Sequence, residues 1–99
     1  MLVHSVFFWL KKELSETERE QFAAGIETLK GISCAEAVYI GTPAATADRP
    51  VMEKSYDFAL TVIAKDVAAH DEYQADPIHQ EFLTNFKVMF EKVVVYDAD

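Results

Sequence analysis

The stretch Leu2-Val3-His4-Ser5-Val6-Phe7-Phe8-Trp9-Leu10 decides the fold. Its β-branched and aromatic side chains predict a strand, and alternation puts Leu2, His4, Val6, Phe8 and Leu10 on one face and Val3, Ser5, Phe7 and Trp9 on the other. Both faces are largely apolar. A strand covered on one side only alternates more cleanly between apolar and polar residues, so each face of this one needs a cover.

Working outward, Lys11 to Leu14 forms a polar exit, and Ser15-Glu16-Thr17-Glu18 has the form of a capping box that starts a helix at Ser15. Phe22, Ile26 and Leu29 supply the buried stripe of that helix, and Gly31 is its natural stop. A weaker strand runs from Cys34 to Gly41, with Val38 and Ile40 opposite Ala35, Ala37 and Tyr39, and is expected to be partly exposed or at an edge. Thr42 to Glu53 holds two of the three prolines and little periodicity, which predicts a loop of about a dozen residues, long for so small a domain. Tyr56 to Ala64 is a third strand, expected to be central.

Asp66 can cap a short helix over Val67 to Gln74. Asp76 then caps another, with Pro77 at the first helical position, where its missing N–H costs nothing. Ile78, Phe82 and Phe86 recur at four-residue steps and predict a helix to about Met89. Val93 to Tyr96 makes a fourth strand. The order β-α-β-β-α-β predicts an α+β, ferredoxin-like fold: a four-stranded antiparallel sheet with helices on one face. The other face of the sheet then lies open in a lone chain. Its expected contents, drawn from Val6, Phe8, Phe58, Leu60 and Val95 or their alternates, are too apolar for water. Two copies are therefore expected to pair through their sheet faces as a homodimer, closing a dimeric α/β barrel.

With 99 residues, the chain is expected to be a single domain spanning 1–99 with only a modest core of its own. A hydrophobic fraction of 51% with seven Phe, four Tyr and one Trp excludes a disordered tail. Seventeen acidic against nine basic residues give a net charge of −8, which argues against nucleic acid and anionic membranes as partners. The lone Cys34 can form no internal disulfide and no cysteine-rich zinc pattern, and without an adjacent base it is expected to be inert. No stretch has the look of a signal peptide or a membrane span, so a cytoplasmic protein is expected.

The residues best suited to proton transfer sit around the second helical segment. His79 falls in the first turn after Asp76-Pro77, where the helix dipole disfavours imidazolium while Asp76 favours it. Each candidate has a plainer reading: His79 as a histidine held by Asp76, Tyr73 as a packed aromatic anchor, His4 as a hydrogen-bonded core histidine. His70, between Ala68-Ala69 and Asp71-Glu72, is expected to face solvent. The spacing of His70 and His79 predicts no metal site.

Taken together, His4-Ser5-Val6-Phe7-Phe8, Tyr56 to Leu60, Tyr73 followed by Asp76-Pro77-Ile78-His79, and Val93 to Asp97 resemble the stress-responsive α/β barrel (Dabb) domain over almost the whole chain. The resemblance implies a ferredoxin-like fold that dimerises through its sheets. It also implies a chemical precedent, since one plant polyketide cyclase of this family closes a ring by aldol condensation without a cofactor. That cyclase uses a histidine in a His-Pro-x-His segment, a tyrosine shortly before it, and a histidine on the first strand. The matching positions are His79, Tyr73 and His4, whereas Asp76 replaces the first histidine of the segment and Ile26 stands in place of a pocket tyrosine.

The expected function is accordingly that of a homodimeric, cofactor-independent enzyme or binder acting on a small polyketide-like or aromatic carbonyl compound. His79 is the expected base, Tyr73 the hydrogen-bond donor, and His4, Phe8 and Phe58 the substrate-lining residues. The alternative is a non-catalytic stress-related or structural dimer in which the same residues fill a packed interior.

Overall fold

In the computed structural model, which describes residues 1–99, the strands β1 (Leu2–Leu10), β2 (Ala37–Gly41), β3 (Phe58–Ala64) and β4 (Phe90–Ala98) form one antiparallel sheet in the order β2-β3-β1-β4. The helices α1 (Glu16–Glu27), α2 (Val67–Ala75) and α3 (Pro77–Phe86) cover one face, and 3-10 turns follow α1 and α3. The fold is ferredoxin-like, with β1 and β3 in the centre. No helix is long and apolar enough to cross a membrane.

Local chemistry sets the helix boundaries. Ser15 Oγ accepts from the Glu18 N–H at 3.1 Å, and Glu18 Oε1 accepts from the Ser15 N–H at 2.9 Å, which completes the capping box. Asp66 caps α2 through the Ala69 N–H at 2.8 Å, and Asp76 caps α3 through the Ile78 N–H at 2.8 Å. Asp76 itself is extended (φ −60°, ψ 138°) because Pro77 disfavours helical geometry in the residue before it. The chain therefore bends between α2 and α3.

Strand ends differ from the sequence expectation where tertiary pairing overrides local pattern. β2 begins at Ala37 rather than Cys34. β4 extends from Phe90 to Ala98, well beyond Val93–Tyr96, because β1 offers a full ladder of partners to residues that alone read as polar. Helix α3 stops at Phe86, and Lys87–Met89 tightens into a 3-10 turn.

The largest correction concerns the two faces of the sheet. Val6, Phe8 and Leu60 are buried beneath the helices, and Phe58 packs with them; they do not form the open face. Val95, opposite Val6 in the ladder, shares that side. The open face carries the alternates Val3, Phe7 and Trp9 of β1, with Val94 and Tyr96 of β4. Helix burial follows the face with Leu2, Leu10 and Phe8, each 5% exposed or less.

Phe22 is the centre of the core, with the rings of Phe8, Phe58, Phe82, Phe86 and Phe90 at 5.1 to 6.0 Å from it. Edge-to-face and tilted pairs of this kind add to simple area burial. Helix α1 reaches α3 closely at Gly25, where a Cβ would lie 2.2 Å from the Phe86 ring. Asp57 ties the start of β3 to β1: its N–H donates to the Phe8 carbonyl and its Oδ2 accepts from the Leu10 N–H, both at 2.8 Å.

The open face is not bare. Tyr56 stacks edge-on against Phe7 and Trp9, and the Trp9 Nε1–H donates to Ser55 Oγ at 2.9 Å. The Lys92 ammonium sits 4.6 Å from the Trp9 ring centre. Between these groups runs an apolar groove of about 350 Å3, bordered by Glu53 and Tyr96.

Candidate active site

Helix α3 delivers His79 in its first turn, pointing back toward the sheet. The imidazole is 8% exposed and stands edge-on to Tyr73, with ring centres 5.0 Å apart. Its Nδ1 is buried without a hydrogen-bond partner. Burial, and next the influence of His4, lower its pKa below the ordinary 6.5, against an opposing pull from the Gln74 backbone and the Asp76 carboxylate. His79 is therefore held neutral near pH 7, ready to accept a proton.

His4 sits on the helix-covered face of β1 and is 4% exposed. Its Nδ1 lies 2.5 Å from Asp97 Oδ1, and the two residues are direct cross-strand partners of β1 and β4. Its Nε2 faces the Gln74 side-chain amide at 3.4 Å. A carboxylate on Nδ1 fixes the tautomer and leaves the Nε2 lone pair turned inward.

His4, Gln74 and His79 form the polar end of a cavity of about 160 Å3, whose apolar wall includes Phe8, Leu83, Val93 and Val95. The cavity opens beside β4, the sheet edge, where Val93 and Val95 are 38% and 47% exposed. Carbonyl chemistry needs a base for a proton beside the carbonyl and a donor for the oxygen on which charge develops, and this polar end carries groups of both kinds.

Of the expected site residues, His4, Phe8 and His79 meet at this cavity. Tyr73 does not border it: the ring is fully buried behind the two histidines, edge-on to both, and its hydroxyl has no partner. Burial, with a smaller contribution from Cys34, pushes the phenol pKa well above its ordinary value, so Tyr73 can donate but not ionise. Phe58 lies apart from the cavity, stacked on Phe22 in the core. Ile26 is likewise a fully buried core residue.

Three residues at or beside the polar end escape a reading of the sequence alone: His70, Gln74 and Asp97. His70, expected in solvent, turns inward until its ring centre lies 4.9 Å from that of His4. The signal was present in its position three residues before Tyr73, on the same side of α2. Asp97 follows only once the β1–β4 register is known.

A four-stranded antiparallel sheet with helices on one face, and histidines converging in a cavity beneath them, defines a ferredoxin-like α+β protein. The chain belongs to the stress responsive A/B barrel domain (Dabb) family, whose profile matches residues 2–99. Among solved structures it is similar to a hydroxynitrile lyase from Passiflora edulis (26% identity, 98% of this chain and 90% of that one, TM-score 0.77). It is also similar to a Dabb family protein with a ferredoxin-like fold from Mesorhizobium loti (23% identity, 99% and 94%, TM-score 0.77). A dimeric ferredoxin-like protein of unknown function from Thermobifida fusca is a further likeness (19% identity, 98% and 88%, TM-score 0.78). A search of curated proteins finds no significant match.

Proposed function

We propose that this protein is a cofactor-free enzyme or binder that acts on a small aromatic or polyketide-like carbonyl compound. His79 serves as the base, His4 as the orienting group and Tyr73 as hydrogen-bond donor once a ligand oxygen reaches it. The observation that carries the reading is the His79 imidazole: buried, biased toward the neutral form, with Nδ1 unpartnered, at the polar end of an otherwise apolar cavity. A buried polar atom without a partner costs free energy, and a ligand that supplied one would recover it.

The likeness to a hydroxynitrile lyase supports a base at this place, because cleaving a hydroxynitrile to a carbonyl compound also needs a proton acceptor, there for the hydroxyl proton rather than one on carbon. We further propose a homodimer paired through the open sheet faces, as its exposed aromatic content and the dimeric relatives favour. An unpaired Cys34 fits a reducing cytoplasm.

The test is turnover of a panel of aromatic β-polycarbonyl compounds and hydroxynitriles. His79→Ala should abolish turnover while circular dichroism and sedimentation stay unchanged; undiminished turnover by the variant would remove His79 from the mechanism. A second reading, a non-catalytic dimer, draws on the cavity's 160 Å3, below the roughly 300 Å3 at which ligand sites usually begin. Saturable binding of a panel compound, lost in His79→Ala, decides for the first reading.

A further inference from the structure

His4 from β1, His70 from α2 and Asp97 from β4 each offer a donor atom, and these lie within 4.8 Å of one another. Each imidazole has its Nδ1 against a carboxylate oxygen: His4 on Asp97 at 2.5 Å, His70 on Asp71 at 3.2 Å. On His70, the Asp71 carboxylate holds the far nitrogen and leaves Nε2 turned toward Asp97. On His4, Nδ1 already faces the Asp97 oxygen, and the far nitrogen Nε2 rests on the Gln74 side-chain amide at 3.4 Å. A polar partner on the far ring nitrogen is how metal-binding histidines are held.

Asp97 closes the set. Its Oδ2 lies 4.0 Å from His70 Nε2, and rotation of the Gln74 amide would turn its oxygen to accept from the His4 Nε2–H that a cation on Nδ1 leaves in place. The His4 and His70 side chains are 5% and 17% exposed, whereas Asp97 at 43% leaves an entry from solvent. A net charge of −8 draws cations toward the protein.

We propose that this chain binds one divalent transition cation of the zinc type through His4 Nδ1, whose proton it displaces, His70 Nε2 and an Asp97 carboxylate oxygen. Water completes the shell. Imidazole donors select against magnesium and calcium, which prefer all-oxygen sites. Around tetrahedral zinc, with Zn–N of about 2.0 Å, ligand atoms sit roughly 3.3 Å apart. The present spread closes to that by a small shift of Asp97, near the end of β4, and of His70 on α2. His79 is not a ligand, so this site goes beyond the proposed base chemistry; the two share His4 and part at His79, His70 and Asp97.

The test is calorimetric titration of the chelator-treated 99-residue chain with zinc chloride near neutral pH, alongside the visible spectrum with cobalt(II). One zinc per chain is expected, with a cobalt spectrum free of thiolate charge-transfer bands. His70→Ala and Asp97→Asn should each weaken zinc roughly tenfold or more, by analogy with what losing even an outer-shell partner costs. Cys34→Ser and His79→Ala should leave zinc binding as it is. Absence of uptake by the wild-type chain, binding undiminished in His70→Ala, or binding lost in Cys34→Ser would each overturn the site. Loss of carbonyl turnover in His79→Ala with zinc binding intact separates the two proposals.

Discussion

Tyr73 carries a hydroxyl that is fully buried and unpartnered, an arrangement that costs about 1 to 3 kcal/mol when no group replaces the lost water. Tyr73→Phe should therefore leave the protein as stable or more stable in urea denaturation, while turnover of any accepted compound falls; equal turnover would assign Tyr73 to packing alone. His79 makes a prediction with a definite sign. Its folded pKa lies below the ordinary 6.5, so above that value it is neutral in both folded and unfolded chains. As pH falls below 6.5 the unfolded chain takes up the proton first and the folded one resists. The contribution of His79 to stability is thus full above 6.5 and is lost as pH falls through the lower folded value. The same depression moves the acid limb of kcat/KM against pH below 6.5, and a limb above 6.5 would contradict the base assignment.

The bend between α2 and α3 places Tyr73 and His79 edge-on, and Asp76 holds it from both sides: its carboxylate accepts from the Ile78 N–H and its own N–H donates to the Tyr73 carbonyl at 3.2 Å. Asp76→Ala should cost about 1 kcal/mol in denaturant unfolding and loosen the first turn of α3, where His79 sits. Most element boundaries at such points were legible, because Ser15, Asp66, Asp76 and Pro77 act through bonds only a few residues long. What could not be read was which face of β1 the helices choose. Phe8 and Phe7 are equally apolar, so period-two alternation separates the faces without ranking them. The answer lies in partners far along the chain, chiefly Phe22 against Phe8. The same distance dependence hid Asp97, which meets His4 only across the completed ladder. His70 departs from expectation for a different reason: its charged neighbours Asp71 and Glu72 look outward, but one helical turn aligns His70 with buried Tyr73.

At the scale of the whole molecule, the helix-covered side is filled by aromatic packing and the opposite side is not. Phe7 lies on that opposite side between Tyr56 and Tyr96, at 5.1 and 6.4 Å. Phe7→Asp would place a charge in the middle of the proposed contact, where desolvating it costs several kcal/mol, and should convert a dimer to monomer in sedimentation velocity. A variant that still sediments as a dimer would move the contact elsewhere. The chain's one tryptophan, Trp9, sits on this same side, held by Ser55 and Lys92. Trp9 would thus serve as a built-in optical gauge of the proposed pairing. Serial dilution that parts two subunits should shift its emission to the red, whereas a titrant entering by way of His4 and His79, behind the strands, should leave the colour of that emission untouched.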